Sequence, residues 1–424
     1  MLETIRSAFK ISDLRRRIFF TFWMFVIFRI GVHVPVPGID RAQIAKLIET
    51  GAIFGFLDMV SGGALKNFSV FAMSIAPYIN ASIIMQLLTI VIPKLEQLSK
   101  EGEEGRKKIT QYIRYGTIVL GLIQAIGTTL GIRFAIVGFS NHPVLYTAII
   151  AISLTAGTAF LMWLGEQITE KGIGNGISLI IFAGIVARLP DGLLALWKYL
   201  KAGTVGPLSV LVFAILAVAV IAAIVLIQEG QRKIPVQYAK RVVGRRMYGG
   251  QSTHLPVKVN HAGVIPVIFA SSILQMPITF ASFSPTSSWG VWISRYLGTS
   301  SSAYMILYAL FIIFFTYFYT AVTFNPVEVS DNIKKYGGFV PGFRPGRPTA
   351  EYLERVLVRL TLPGAVFLAA IAVLPYGIAG FTKIPTSSLY FGGTGLLIVV
   401  GVALETMKQL EAHLMMRHYQ GFMK

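Results

Sequence analysis

The stretch PLSVLVFAILAVAVIAAIVLI, residues 207–227, decides the fold class of this chain. It contains no charged residue, and its length matches the ~20 residues that an α-helix needs to cross the hydrocarbon layer of a bilayer. A basic loop follows at once, with Arg232, Lys233, Lys240, Arg241, Arg245 and Arg246. An apolar run followed by a cationic one is typical of a transmembrane helix that leads into a cytoplasmic loop.

The same pattern recurs along the whole chain. Of its 424 residues 54% are hydrophobic and only 13% are charged, and the mean hydropathy is +0.66. One soluble core cannot hide that much apolar surface, so lipid is the main solvent. We predict an all-α polytopic membrane protein with ten transmembrane helices: Ile18–Val36, Val70–Pro93, Gly116–Val137, Leu145–Leu164, Gly176–Leu189, Pro207–Ile227, His261–Phe280, Ala303–Phe324, Leu360–Tyr376 and Phe391–Met407.

The distribution of positive charge gives the orientation. The net charge is +19, and with the N-terminus inside, most of the 38 lysines and arginines lie on the inner side. Cytoplasmic loops carry such an excess, so we predict a multi-pass protein of the cytoplasmic membrane with both termini cytoplasmic. The first span follows a basic stretch, but it is too long for a signal-peptide core and lacks a small-residue cleavage site, so we expect it to be retained.

Several kinds of chemistry have no basis in the sequence. The chain has no cysteine, and its six histidines have no metal-ligand spacing. The glycine-rich run at 172–176 follows a span rather than a strand, so a nucleotide site is not expected there. A ten-span solute transporter would place ionisable groups near the membrane midplane, and an intramembrane protease would need paired carboxylates or a Ser/His pair. The predicted spans contain neither arrangement. We therefore expect no enzyme, no metal and no cofactor.

One segment is too long for a single span. The chain is almost continuously apolar from Ala52 to Pro93, except for Asp58, Lys66 and two adjacent glycines between them. This break predicts a short helix at about 52–59, then a turn, then a span. Two turns of helix cannot cross a bilayer. The segment either folds back against protein or lies on lipid as an external interfacial helix, and the pattern alone leaves both open.

The two basic loops, at about 229–259 and 326–359, are longer and carry more positive charge than membrane orientation alone requires. Such surfaces attract anionic partners, for which ribosomal RNA, an acidic protein face and lipid headgroups are all candidates.

Five strings closely resemble the SecY family, the channel-forming subunits of the bacterial Sec translocon. The resemblance extends from the basic N-terminus to the final span, and it is carried by MWLGEQITEKGIGNGIS (162–178), YAKRVVGRRMY (238–248), QSTHLP (251–256), AGVIP (262–266) and FVPGFRPG (339–346). It implies a central pore that passes unfolded polypeptides across the cytoplasmic membrane. It also implies two pseudosymmetric halves of five spans, residues 1–190 and 191–424.

The resemblance implies three sets of site residues. A ring of isoleucines would close the waist of the pore: Ile79, Ile83, Ile181, Ile185, Ile268 and Ile398. A re-entrant plug helix, about residues 52–67, would seal it from outside with Phe56, Leu57, Met59, Val60, Ser61, Gly62, Gly63, Ala64 and Leu65. A lateral gate between spans 2 and 7 would release signal and transmembrane segments into lipid, with polar members Gln86, Asn260 and Ser272.

The resemblance also implies partners. The basic loops would dock the SecA motor ATPase and the ribosome through Arg232, Lys240, Arg241, Arg245, Arg246 and Arg344. Small SecE and SecG subunits would lie alongside the channel. Secretory and membrane-protein substrates would pass through it, and membrane lipid would surround it.

Overall fold

The fold comes from a computed structural model, which describes residues 9–44, 58, 61–238, 241–243, 246–248, 252–282, 287–298, 301–382 and 393–421. Thirteen α-helices lie in these ranges. They are α1 Ser12–Val32, α2 Ala76–Val91, α3 Pro93–Lys100, α4 Glu103–Gly131, α5 Pro143–Lys171, α6 Gly176–Lys201, α7 Pro207–Glu229, α8 Ile265–Ser282, α9 Ser288–Tyr296, α10 Ser302–Thr323, α11 Pro326–Lys335, α12 Arg347–Thr382 and α13 Gly393–Gly421.

A helix covers each of the ten predicted spans. In the described part of the chain, six helices are long and apolar enough to cross a membrane, and α2 with α3 forms a seventh candidate that bends by 101° at Pro93. Helix α8 is apolar but shorter. Helices α1 and α13 carry charges at one end. These helices are therefore consistent with the ten predicted spans, because the length of an apolar run is a local property.

Several helix boundaries differ from the predicted ends of spans and loops. The second span begins at Ala76 rather than Val70, because residues 61–75 form turns in which Phe68 and Ser74 have positive φ values of 40° and 53°. The fifth span continues through Pro190 to Lys201, so the expected division at residue 190 falls inside α6. The loop at 326–359 is mostly helical, since α11 and the first part of α12 occupy it.

Helix ends follow local capping rules. Pro143 and Pro207 lie in the first turns of α5 and α7, where a missing N–H costs nothing. The Asn175 side chain caps α6 by accepting hydrogen bonds from the backbone N–H groups of Ile177 and Ser178, at 3.1 and 3.2 Å.

The helices pack mainly within two groups. Helices α1, α2, α4, α5 and α6 contact one another, and α7, α8, α10, α12 and α13 do the same. The groups meet where α8 packs on α2 and α4, and where α6 packs on α13 and α7. One buried apolar cluster contains residues from both groups, so the centre of the molecule is a shared core.

The two basic loops fold into one body outside the membrane helices. We call it the cytosolic body, after the side of the membrane that its positive charge predicts. Strands β1 Gln231–Tyr238 and β4 Ser252–Lys258 form an antiparallel ribbon, and β5 Gly338–Phe339 from the second loop pairs with the other edge of β1. Two short strands, β2 Arg241–Val243 and β3 Arg246–Tyr248, pair with each other in a separate antiparallel sheet. Ile234 and Val236 pack against Ile333 of α11 and Leu353 of α12. The chain is therefore all-α in its membrane segments, with a small sheet outside them.

Candidate functional site

The six isoleucines named from the sequence lie together at the centre of the molecule. Five of them, Ile79, Ile83, Ile181, Ile185 and Ile398, are at most 9% exposed, and the half-buried Ile268 packs against the same cluster. They come from helices of both groups: α2, α6, α8 and α13. Each pair at i and i+4, in α2 and in α6, lies on one helix face. These side chains therefore point into the protein rather than toward acyl chains.

Four of these isoleucines enclose one cavity. Ile79, Ile181, Ile268 and Ile398 line a space of about 50 Å³, together with Ser272 and other residues of α2 and α8. A water molecule requires roughly 10–15 Å³ of such space, so a few waters fit and an extended polypeptide does not. Ile83 and Ile185 lie in the same cluster beyond the cavity. The six isoleucines form a narrow aliphatic constriction, which we call the collar, although Ser74, Ser271 and Gln275 also line the cavity beside it.

The segment after Asp58 is folded against the helices that carry the collar. Phe56, Leu57, Met59 and Val60 lie outside the described residues. Ser61, Gly62, Gly63 and Ala64 are buried, and Leu65 is half-buried. Gly62 and Gly63 have φ values of +69° and +91°, which a side chain would strain, and a Cβ on Gly62 would lie 3.0 Å from the Cα of Gly184 in α6. The turn thus requires glycine for both conformation and close approach.

Two arginines hold this segment. Arg29 of α1 donates from Nη1 to the carbonyl oxygen of Gly62 at 2.8 Å. Arg188 of α6 forms an ion pair with Asp58, whose side chain is 1% exposed. In the sequence Asp58 indicated only a turn, and nothing in the local pattern linked it to Arg188. An ionisable residue next to an apolar span needs a partner, and this rule could have marked Asp58 and Arg188 as functional candidates.

The expected gate residues lie near the seam between α2 and α8, but no described hydrogen bond joins them across it. Gln86 donates to Ser82 of its own helix at 3.4 Å. Asn260 precedes α8 rather than lying within it, and its Nδ2 donates to the carbonyl oxygen of Gly263 at 3.0 Å. Ser272 is buried and lines the cavity of the collar. The seam is therefore closed by apolar packing more than by polar contacts.

His261 lies beside Asn260 in the connection between β4 and α8. Its ring packs edge-on against Phe324, with centroids 5.4 Å apart. Partial burial, and then the charge of Lys258, lower the pKa of His261. This shift favours the neutral imidazole, which suits its aromatic contact just before α8.

Two of the arginines that the family resemblance implies for docking are on the surface of the cytosolic body. Arg232 is exposed on β1, and Arg344 is exposed in the turn between β5 and α12. The backbone oxygen of Arg344 accepts a hydrogen bond from Thr349 Oγ1 at 2.7 Å, and the Phe343 ring stacks on Tyr352 with centroids 4.1 Å apart. Arg241 and Arg246 lie in β2 and β3, while Lys240 and Arg245 lie outside the described residues.

These features define a multi-pass helical membrane protein whose centre is closed by aliphatic side chains. The SecY family model matches residues 69–407. The protein translocase subunit SecY of Halalkalibacterium halodurans is 51% identical over the full length of both chains. The chain belongs to the SecY family.

Solved channel structures have the same fold. One, described as showing that the SecY plug domain stabilises the closed state and maintains a membrane seal, has a TM-score of 0.69 and 21% identity; the alignment covers 94% of this chain and 92% of that one. Sec61 in the canine ribosome–channel complex has a TM-score of 0.65 and 20% identity, with the same coverages.

Proposed function

We propose that this chain is the pore-forming subunit of a protein translocase, which passes unfolded polypeptides across the cytoplasmic membrane. The observation that carries the proposal is the collar, in which isoleucines from four helices meet around one small cavity. The direct test is reconstitution with its copurifying subunits in vesicles. We expect an unfolded secretory protein to become protease-protected inside them, and no protection above empty vesicles would contradict the proposal.

The collar explains how a channel can admit a chain and still exclude salt. A narrow apolar constriction disfavours water and ions by dewetting. Isoleucine side chains offer no hydrogen bond or charge to a passing residue, so no particular substrate side chain is retained. Movement of the two helix groups apart would widen the collar, because its members come from both.

We assign residues 52–67 to a plug that seals the closed pore. The burial of Ser61–Ala64 against α1 and α6 supports an interior position over an interfacial helix lying on lipid. We place both termini in the cytoplasm, as the charge distribution favours. The helix contacts support two halves that join in residues 202–206, after α6, rather than at residue 190.

Deleting residues 55–66 should make the resting channel leak small ions while protein translocation continues. The deletion removes the Gly62 contact with α6 and the Asp58 ion pair, so only the collar remains as a barrier. The measurement is anion efflux from reconstituted vesicles. Replacing 55–66 with a Gly/Ser linker of equal length separates loss of the plug from strain in a shortened connection, and we expect the same leak. Tight vesicles with both variants would exclude a sealing role.

We assign the lateral gate to the seam between α2 and α8, which opens to let an apolar signal helix enter lipid. A signal helix that binds the open gate more tightly than the closed gate would shift the equilibrium toward the open gate. The size of the shift is set by the difference between the two affinities.

Asn260→Leu should increase export of a reporter with a defective signal sequence. The bond to Gly263 lies in the connection that leads into α8, so its loss loosens the start of that helix rather than a contact across the seam. A polar contact of ~1 kcal/mol limits the effect to about fivefold. Gln86→Leu should act in the same direction with a smaller effect, because its bond is also local and is longer, at 3.4 Å. Secretion assays of both variants measure this, and unchanged export in both would argue against polar control of the gate.

We assign the docking surface to the cytosolic body, with Arg232, Lys240, Arg241, Arg245, Arg246 and Arg344 as contacts for the SecA motor and the ribosome. Both basic loops contribute to one folded unit, so a partner meets a single rigid surface. The canine Sec61 relative in fold is seen in a ribosome complex, which supports the ribosome as one partner. SecE and SecG complete the proposed assembly.

A further inference from the structure

A buried ion pair ties the proposed plug to the wall of the pore. The Asp58 side chain is 1% exposed and the Arg188 side chain is 12% exposed. Arg188 also reaches Asp191 with Nη1 at 2.9 Å, but the Asp191 side chain is 56% exposed. Arg188 therefore lies between a buried carboxylate that belongs to the plug segment and an exposed one that belongs to its own helix.

Asp58 also organises the segment that follows it. Its Oδ1 accepts a hydrogen bond from the backbone N–H of Lys66 at 2.6 Å, and its backbone oxygen accepts one from Gly63 at 2.8 Å. Asp58 is thus bonded to the turns at Gly63 and Lys66, so displacement of these turns acts on the ion pair. On the opposite side Arg29 holds Gly62, and together the two arginines attach the segment to both α1 and α6.

The energetics give the Asp58–Arg188 ion pair, which we call the latch, a moderate strength. A buried charge without its partner is costly, so either residue alone destabilises the closed arrangement. When the plug leaves, both charges regain solvation and Arg188 retains Asp191, which offsets much of the lost attraction. The pair therefore resists opening without preventing it.

We propose that Asp58 and Arg188 set the stringency with which this channel selects signal sequences. Their ion pair determines how much more tightly a signal must bind the open channel than the closed one in order to release the plug. This inference rests on the proposed translocase function. It assigns the specificity to two residues that lie in neither the collar nor the gate. A signal that binds the open state weakly would fail against the intact latch and succeed against a broken one.

The test is a double-mutant cycle on the full channel with its copurifying subunits: Asp58→Asn, Arg188→Gln and the combination. Each single change should raise export of a defective-signal substrate about tenfold, the equivalent of only ~1.4 kcal/mol of closed-state stability. Because both residues act through one contact, the combined variant should do no more than the stronger single one. Glu96→Gln is the matched control, since it breaks the exposed Glu96–Lys100 pair, and exposed pairs contribute little.

Export of a substrate with an intact signal provides the internal check. It should stay within about twofold of the parent in every variant, which separates a released latch from a misfolded channel. Additive effects in the combined variant, or parental discrimination in all three, would overturn the latch while the parent still translocates. Absence of translocation by the parent itself would instead contradict the proposed function.

Discussion

We expect Arg344→Glu to abolish motor-driven translocation while the channel remains folded and inserted. The side chain is exposed and its backbone is held by Thr349, so the substitution changes the charge of the surface without disturbing the turn. Like charges brought together at an interface cost several kcal/mol, so we expect a loss of more than about a hundredfold at limiting motor concentration. The measurement is ATP-driven import of a secretory protein into reconstituted vesicles.

Lys100→Glu serves as the matched control for this charge reversal. Lys100 is also exposed, at the end of α3, and pairs with Glu96 of the same helix. It lies outside the cytosolic body, so its reversal should leave import near the parental rate. Full activity of the Arg344 variant at equal channel density would refute the assignment of the docking surface. A loss that disappears at high motor concentration would identify weakened binding as the defect.

Replacing Ile79, Ile181, Ile268 and Ile398 together with serine should turn the resting channel into an ion leak. These four side chains enclose the central cavity, and serine would both enlarge it and supply hydrogen-bonding partners for water. A hydrated constriction no longer excludes ions by dewetting. We expect ion permeability to rise at least about tenfold, measured as anion efflux or as single-channel current in planar bilayers.

The same four positions changed to valine are the control for this effect. Valine keeps the constriction apolar and β-branched, so the seal should largely persist even though the cavity grows slightly. The quadruple serine variant combined with deletion of 55–66 should leak more than either alone, because plug and collar are separate barriers. An impermeable quadruple serine variant would place the seal elsewhere in the channel.

The sequence by itself determined the class of the protein. Runs such as residues 207–227 are long enough to span a bilayer, and the segregated basic loops predict an orientation, because both properties depend only on neighbouring residues. Motifs such as FVPGFRPG carried the family, and through it the six isoleucines that the structure brings into one buried cluster. The i and i+4 spacing of Ile79 with Ile83, and of Ile181 with Ile185, already placed each pair on one face.

Only the tertiary structure decided where local patterns give way to long-range contacts. Hydropathy placed the start of the second span at Val70, but Val70 donates its N–H to Val34 and Ser69 bridges Pro35, so the chain stays non-helical until Ala76. The joining of the two basic loops through β1 and β5 and the pairing of Asp58 with Arg188 link positions about a hundred or more residues apart. Which distant residues meet depends on how the helix groups pack, and neither composition nor periodicity contains that information.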